Sequence, residues 1–299
     1  MSSHVMPATS LTFHGDNTLK QAMLERFRAH LEAGRVTSTL NTWNGQSGSV
    51  IGCAIESDDL DVWSSTLGLP KWLALLIDAI AAAQGSPQAF ALAGLPTLQA
   101  IPVGVDLDAA GSGFVLKLLA DIAARREATS PDTALPSALA TVTTLHTAVA
   151  DGKSSDAAAW RAARRAAMAV ADTFEEHSAG RLLASVVEAA GWDIRSSPTV
   201  ATDTMRAWVV AYGNYALVEF GWTPADEANV HVRLKEMHDR FLKDHPESTR
   251  TVFDHYAEQY PAEEERLRAR IRTEREAVSR ANAIASEILR ASLAPASTA

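Results

Sequence analysis

The chain contains a single cysteine, Cys53, in 299 residues. One thiol excludes an intrachain disulfide and a zinc site built from paired cysteines, and it suits a reducing compartment. Long apolar runs are also missing, since no stretch reaches the roughly 17–25 residues that cross a bilayer. Basic excess is absent too. With 27 Lys+Arg against 36 Asp+Glu the formal net charge is -9, which disfavours a sequence-independent grip on nucleic acid phosphates. Residues 1–10 show no basic segment leading into an apolar run, so a secretory leader is not expected and cytoplasmic residence is.

Motifs with a known mechanism are missing as well. There is no Gly-x-x-x-x-Gly-Lys-Ser/Thr loop, no Gly-x-Ser-x-Gly elbow and no His-Glu-x-x-His pair. Gly111-Ser112-Gly113 lacks the later glycine that a dinucleotide loop needs.

What is present is helical patterning. The segment Pro70–Gln84 is apolar on nearly every side, with Pro70 suited to a first helical position and Gly85 to a left-handed stop. A helix of that kind must be surrounded, so it is expected to be the hub of an all-α fold, a mostly α-helical bundle. Thr18 and Gln21 suggest a capping box for a first helix ending near Ala33, with Met23, Phe27 and His30 on its core face. Val36–Leu40 and Ser49–Ile55 flank Asn44-Gly45, so at most one small β-hairpin is expected, near residues 36–55.

Residues 85–112 read as short helical turns between loops, followed by a helix over Phe114–Glu127. Thr129-Ser130-Pro131-Asp132 marks a boundary. Later helices are expected at Ser137–Ala150, from a Ser154 cap to His177, at Arg181–Ala190, Thr202–Phe220, Thr223–His245, Ser248–Tyr260 and Pro261–Ala294. The expected organisation is therefore an N-terminal helical region over 1–130, an alanine-rich bundle over 131–260, and a terminal helical arm and tail over 261–299. The arm's interrupted seam of Leu267, Ile271, Val278, Ala281, Ala285 and Ile288 fits either packing on the body or pairing with another subunit.

Thr12-Phe13-His14-Gly15-Asp16 with Lys20, Gly52-Cys53, Leu67-Gly68-Leu69-Pro70, Ile101-Pro102-Val103-Gly104-Val105-Asp106 and Trp160-Arg161-Ala162-Ala163-Arg164 carry a resemblance. Over residues 12–245 the chain resembles a loosely defined group of uncharacterised bacterial and phage-borne proteins. The resemblance implies no activity. Members often carry a cysteine where Ser49 stands and a histidine near Leu60, so a ligand held through those residues would be lost here.

Candidate acid–base residues are His14, Asp16 and Asp78, the last being the only acid in the hub. Candidate ligand-binding residues are Trp43, Cys53, Asp58 and Asp59. The competing reading makes Asp16 a helix cap, gives His14 a nearby carbonyl, and leaves Cys53 small and buried. It puts Asp78 on a solvent strip or against Arg26 or Arg28. His14 and His30 would stand roughly 20 Å apart along the first helix and cannot share an ion. His231, His238 and His245 recur two turns apart, roughly 10 Å, which is also too far. No metal site and no cofactor are expected. Arg161, Arg164, Arg165 and Arg181 beside Trp160 read as a solvated face, given the nearby acids Asp172, Glu175 and Glu176.

The expected function is that of a cytoplasmic helical interaction or binding protein, self-associating through 261–294, with no membrane or nucleic acid partner. The alternative is an enzyme or a metal- or small-ligand-dependent protein, with its site between the first helix, the Cys53 loop and the hub.

Overall fold

The computed structural model describes residues 11–84, 87–129, 134–153, 156–243 and 249–294. These residues form an all-α fold with no strand among them. The helices are α1 (Asn17–Glu32), α2 (Val50–Ile55), α3 (Leu60–Leu67), α4 (Lys71–Ala82), α5 (Pro87–Ala100), α6 (Asp108–Thr129) and α7 (Ala134–Ala150). They continue with α8 (Ala157–Ala171), α9 (Ala179–Ala189), α10 (Val200–Glu219), α11 (Pro224–Phe241), α12 (Val252–Gln259) and α13 (Pro261–Leu293). No helix among the described residues is long and apolar enough to cross a membrane.

The chain forms two compact units, residues 1–209 with 282–299, and residues 210–281. Their boundaries fall inside α10 and α13, whereas the punctuation in the sequence falls near 130 and 260. Loop-forming residues mark where a helix stops, not where a core ends.

In the first unit α4 is the hub. Nine of its twelve residues are buried, from Trp72 to Ala81, and α2, α3 and α5 pack on it. Pro70 precedes the helix as its cap residue rather than serving as its first turn. The expected stop at Gly85 lies outside the described residues, as do most of the 129–132 boundary, Ser154 and His245.

Three sequence readings need correction. Ser49–Ile55 is not a strand: Ser49 caps α2, its hydroxyl accepting from the Gly52 N–H, and pairing with the 36–48 loop is limited to isolated bridges of Gly48 with Val36 and Trp43. The β-branched pattern is met by burial on all sides, which a short helix also provides. Residues 87–100 form one helix although Gly94 and Pro96 interrupt its pattern. A Cβ on Gly94 would stand 2.6 Å from a Val50 methyl, so this glycine lets α5 approach α2 closely. Helix α8 ends at Ala171, with Asp172 as its C-terminal cap residue, rather than continuing to His177; the buried stripe of Trp160, Ala163, Ala167 and Val170 is as the spacing predicts.

The 282–293 part of α13 belongs to the first unit, and its Asn282, Ala285, Ser286, Leu289 and Leu293 are buried. This is the alternative in which the arm packs on the body. In the second unit Val230, Met237, Tyr256 and Leu267 form a small core bordered by Trp222, Leu234 and Phe241. Helices α11 and α12 each begin with a complete capping box, Thr223 with Asp226 and Thr251 with Asp254.

Candidate functional site

The residues singled out by the sequence fall into two groups. His14 lies in a turn, Thr12–Gly15, in which Phe13, His14 and Gly15 all have positive φ (53°, 51° and 78°). Positive φ is uncommon outside glycine and is strained for a side chain as bulky as Phe13. It is held by backbone bonds from the Thr12 N–H to the Val105 carbonyl and from the Gly104 N–H to the Thr12 carbonyl, and by the Val105 N–H donating to the Thr12 hydroxyl. Lys20 donates to the Gln99 and Ile101 carbonyls that close α5. His14 Nε2 lies 3.1 Å from the Ser65 carbonyl. Asp16, and not Thr18, caps α1, accepting from the backbone and hydroxyl of Thr18; those bonds hold its carboxyl below the usual range.

The second group gathers around the start of α2. Asp78 is 2% exposed. Its carboxylate accepts the Ile51 N–H at 2.9 Å and the Asn41 N–H at 2.8 Å, so it caps α2 and pins the preceding loop from the hub. It neither faces solvent nor pairs with an arginine; Arg26 donates instead to the Ala54 carbonyl and pairs with Glu56. Burial pushes Asp78 up to about 6 against the pull of its backbone donors. Cys53 is fully buried, its thiol donating to the Gly48 carbonyl. Burial raises it to about 11, which keeps it protonated and poorly nucleophilic at neutral pH.

Asp58 offers its backbone carbonyl to the Asn41 amide, and Asp59 caps α3. Trp43 is half-buried with its ring edge-on to His30 at 5.0 Å. Among the described residues no hydrogen bond or ion pair links His14 or Asp16 to Cys53 or Asp78, and no three His, Cys, Asp or Glu side chains are grouped to hold a metal ion. The chemistry of this region is spent on the backbone.

A different site emerges between α8, α9 and the 190–199 connection. Arg161, Arg164, Arg165 and Met168 recur at steps of three and four, forming a stripe beside the buried one on α8. Helix α9 ends at Ala189. A Cβ on the following Gly191 would lie 3.1 Å from Arg164 Cβ and 3.0 Å from the Glu188 carbonyl, so glycine lets the chain pass tightly there. Trp192 is thereby delivered beneath the Arg164 guanidinium, 4.4 Å from its ring centre, and is 41% exposed. Next in the chain, Asp193 receives Arg195 through its backbone N–H, Nε and Nη2. Burial works to raise the Asp193 carboxyl, but the bonds from Arg195 outweigh it and hold it below its ordinary value.

Arg164 and Trp192 form a wall shared by two cavities. One, of about 460 Å³, is lined by Trp160, Arg161, Arg165 and Met168 among others. The other, of about 370 Å³, is lined by Ser185, Glu188, Ser197, Thr199 and Asp203. Small-molecule sites generally fall in the range of roughly 300–1,000 Å³. Two buried donors at the larger cavity, Trp160 Nε1 and Arg164 Nε, have no hydrogen-bond partner among the described residues. Unmet buried donors are uncommon and call for an explanation.

Beneath this wall His146 ties the helices together. Fully buried, it accepts from the Ser112 hydroxyl at Nδ1 and donates from Nε2 to the Ala190 carbonyl, with Trp160 edge-on at 4.9 Å. Burial pushes it down to about 4, which leaves it neutral. The sequence reading weighed the arginines beside Trp160 but not Trp192. An aromatic between a helix-ending glycine and an Asp-x-Arg turn is the signal that pointed to it. Arg181 is not part of the groove; it pairs with Asp172 at 2.9 Å. Compared with known protein families, curated proteins and solved structures, the chain matches none.

Proposed function

We propose that the protein is a helical binding protein and that its recognition site is the groove bordered by α8, α9 and the 190–199 connection. The observation that carries this reading is Trp192, exposed at a concave surface while Arg164 stacks on it. An arginine–aromatic pair at a concave surface is a common anchor of recognition sites.

Cytoplasmic residence belongs to the same reading, supported by the lone, buried and protonated thiol. Self-association through 261–294 has less support, because the apolar side of α13 from Asn282 to Leu293 is already covered within its own chain.

Ligand-observed NMR against a small-fragment library tests the site, using the wild type and Trp192→Ala. Fragments that bind the wild type and lose their signal with the variant are expected. The reading fails if no fragment binds, or if every hit binds a folded Trp192→Ala variant equally well.

A further inference from the structure

Resting on the groove as a binding site, we infer that its larger cavity, of about 460 Å³, takes an aromatic monocarboxylate, with the ring against Trp192 and Met168 and the carboxylate at Arg161 and Arg165. The selecting observation is the hydrogen-bonding capacity that the lining side chains leave open. Arg161 and Arg165 are exposed and have no carboxylate partner among the described residues. Trp160 Nε1 and Arg164 Nε are further donors, buried and unmet. The acceptors are largely spent. Asp193, the one carboxylate in the lining, receives Arg195 through the backbone N–H, Nε and Nη2. Ser196 gives its hydroxyl proton to the Asp193 carbonyl, which leaves one hydroxyl oxygen over. A ligand that fits therefore brings acceptors. That excludes a cation and disfavours a sugar, whose several hydroxyls need acceptors as well as donors.

The acids around the rim set the size of the charge. Asp156 caps the start of α8, its carboxylate accepting from the Ala158 N–H, and Glu188 stands 4.0 Å from Arg164. With Asp193 they set three carboxylates against four arginines, Arg161, Arg164, Arg165 and Arg195. One positive charge is left over, so a monoanion balances the site where a phosphate dianion or a polyanion would overcharge it. Arg161 and Arg165 stand one helical turn apart, their Cβ atoms separated by roughly 6 Å, and like charges at that spacing repel. A carboxylate between them removes the repulsion and accepts from both guanidinium groups. Met168 follows Arg165 by three residues, and Arg164, which covers the Trp192 ring, stands one turn before Met168. Trp192 and Met168, 41% and 37% exposed, are thereby the apolar surfaces beside the arginine pair. A flat ring meets an indole and a thioether favourably. Ring and carboxylate then adjoin, as a short acidic side chain on an aromatic ring requires.

Isothermal titration of the full chain with indole-3-acetate, indole-3-acetamide, tryptamine and octanoate separates these features. Indole-3-acetate is expected to bind saturably with one site per chain. The amide, which lacks the charge, and octanoate, which lacks the ring, are each expected to bind at least about tenfold more weakly. Tryptamine, with a cation in place of the carboxylate, is expected not to bind. Arg161→Gln/Arg165→Gln is expected to bring the acid down to the affinity of the amide, and Trp192→Ala to weaken acid and amide alike by about tenfold or more. All three side chains are exposed, so both variants are expected to keep the wild-type thermal melt. The inference is overturned if indole-3-acetate gives no saturable heat up to millimolar concentration, if the amide, octanoate or tryptamine matches it, or if the double variant binds it as the wild type does. Fragments lost with Trp192→Ala alongside a failed indole-3-acetate titration would reject the carboxylate and keep the groove; failure of both would reject both.

Discussion

Asp78 and His146 show how two buried titratable side chains can stabilise opposite ends of one pH range. Asp78, raised to about 6, keeps a proton in the folded chain between about pH 4 and 6 that the unfolded chain has released. Its contribution to stability therefore falls as pH rises through that window. His146, lowered to about 4, excludes a proton between about pH 4 and 6.5 that the unfolded chain holds, so its contribution falls as pH drops. Each amounts to on the order of 3 kcal/mol, and the two oppose one another. Asp78→Asn should therefore lose stability more steeply than the wild type as pH falls from 6 to 4.5, measured by urea unfolding at stepped pH. Parallel profiles would sink this account. Gly52 makes a sterically simpler prediction. A Cβ there would sit 1.9 Å from the Thr42 carbonyl oxygen, a backbone atom that cannot swing away, so Gly52→Ala should cost about 3 kcal/mol in the same assay. The sequence marks Asp78 as unusual, being a lone acid in an apolar helix. It does not say that the acid's partners are backbone N–H groups 27 and 37 residues away, because such pairing carries no residue-type signature.

Among the elements, a complete capping box was the most legible signal. Thr223-Pro224-Ala225-Asp226 reads as a cap, and the box forms as written. Thr223→Ala should cost about 1 kcal/mol, since the Asp226 N–H loses the Thr223 hydroxyl as its acceptor. Chemical denaturation followed by Trp222 fluorescence in the second unit checks this, and an unchanged midpoint would refute it. Caps are local, involving residues three apart, so the sequence displays both partners at once. The differences at α2 and α5 have the opposite cause: Val50–Ile55 reads as a strand because short apolar runs look alike in either state, and residues 85–112 read as short turns because the α2 side chain that Gly94 accommodates is distant in sequence.

For the molecule as a whole, the covered face of α13 gives a prediction that separates packing from pairing. Leu289 is fully buried in the chain's own first unit, so Leu289→Ala should lower stability by about 2–5 kcal/mol. That loss should be the same at every protein concentration, as equilibrium unfolding over a wide concentration range would show. A seam that served self-association would instead make the loss grow as the protein is concentrated. The all-α class and the sheathed hub follow from the sequence by itself, because hydrophobic periodicity and a segment apolar on every side state how much surface must be hidden. The single cysteine and the acidic balance likewise bound the chemistry without any coordinates. The placement of the groove was decided only in three dimensions. Arg164 stands on α8 and Trp192 in a connection about thirty residues later, and they meet where Gly191 passes close to the Arg164 backbone, an approach a Cβ would crowd. Periodicity reports which face of a helix turns inward; it does not report what another part of the chain lays along the face turned out.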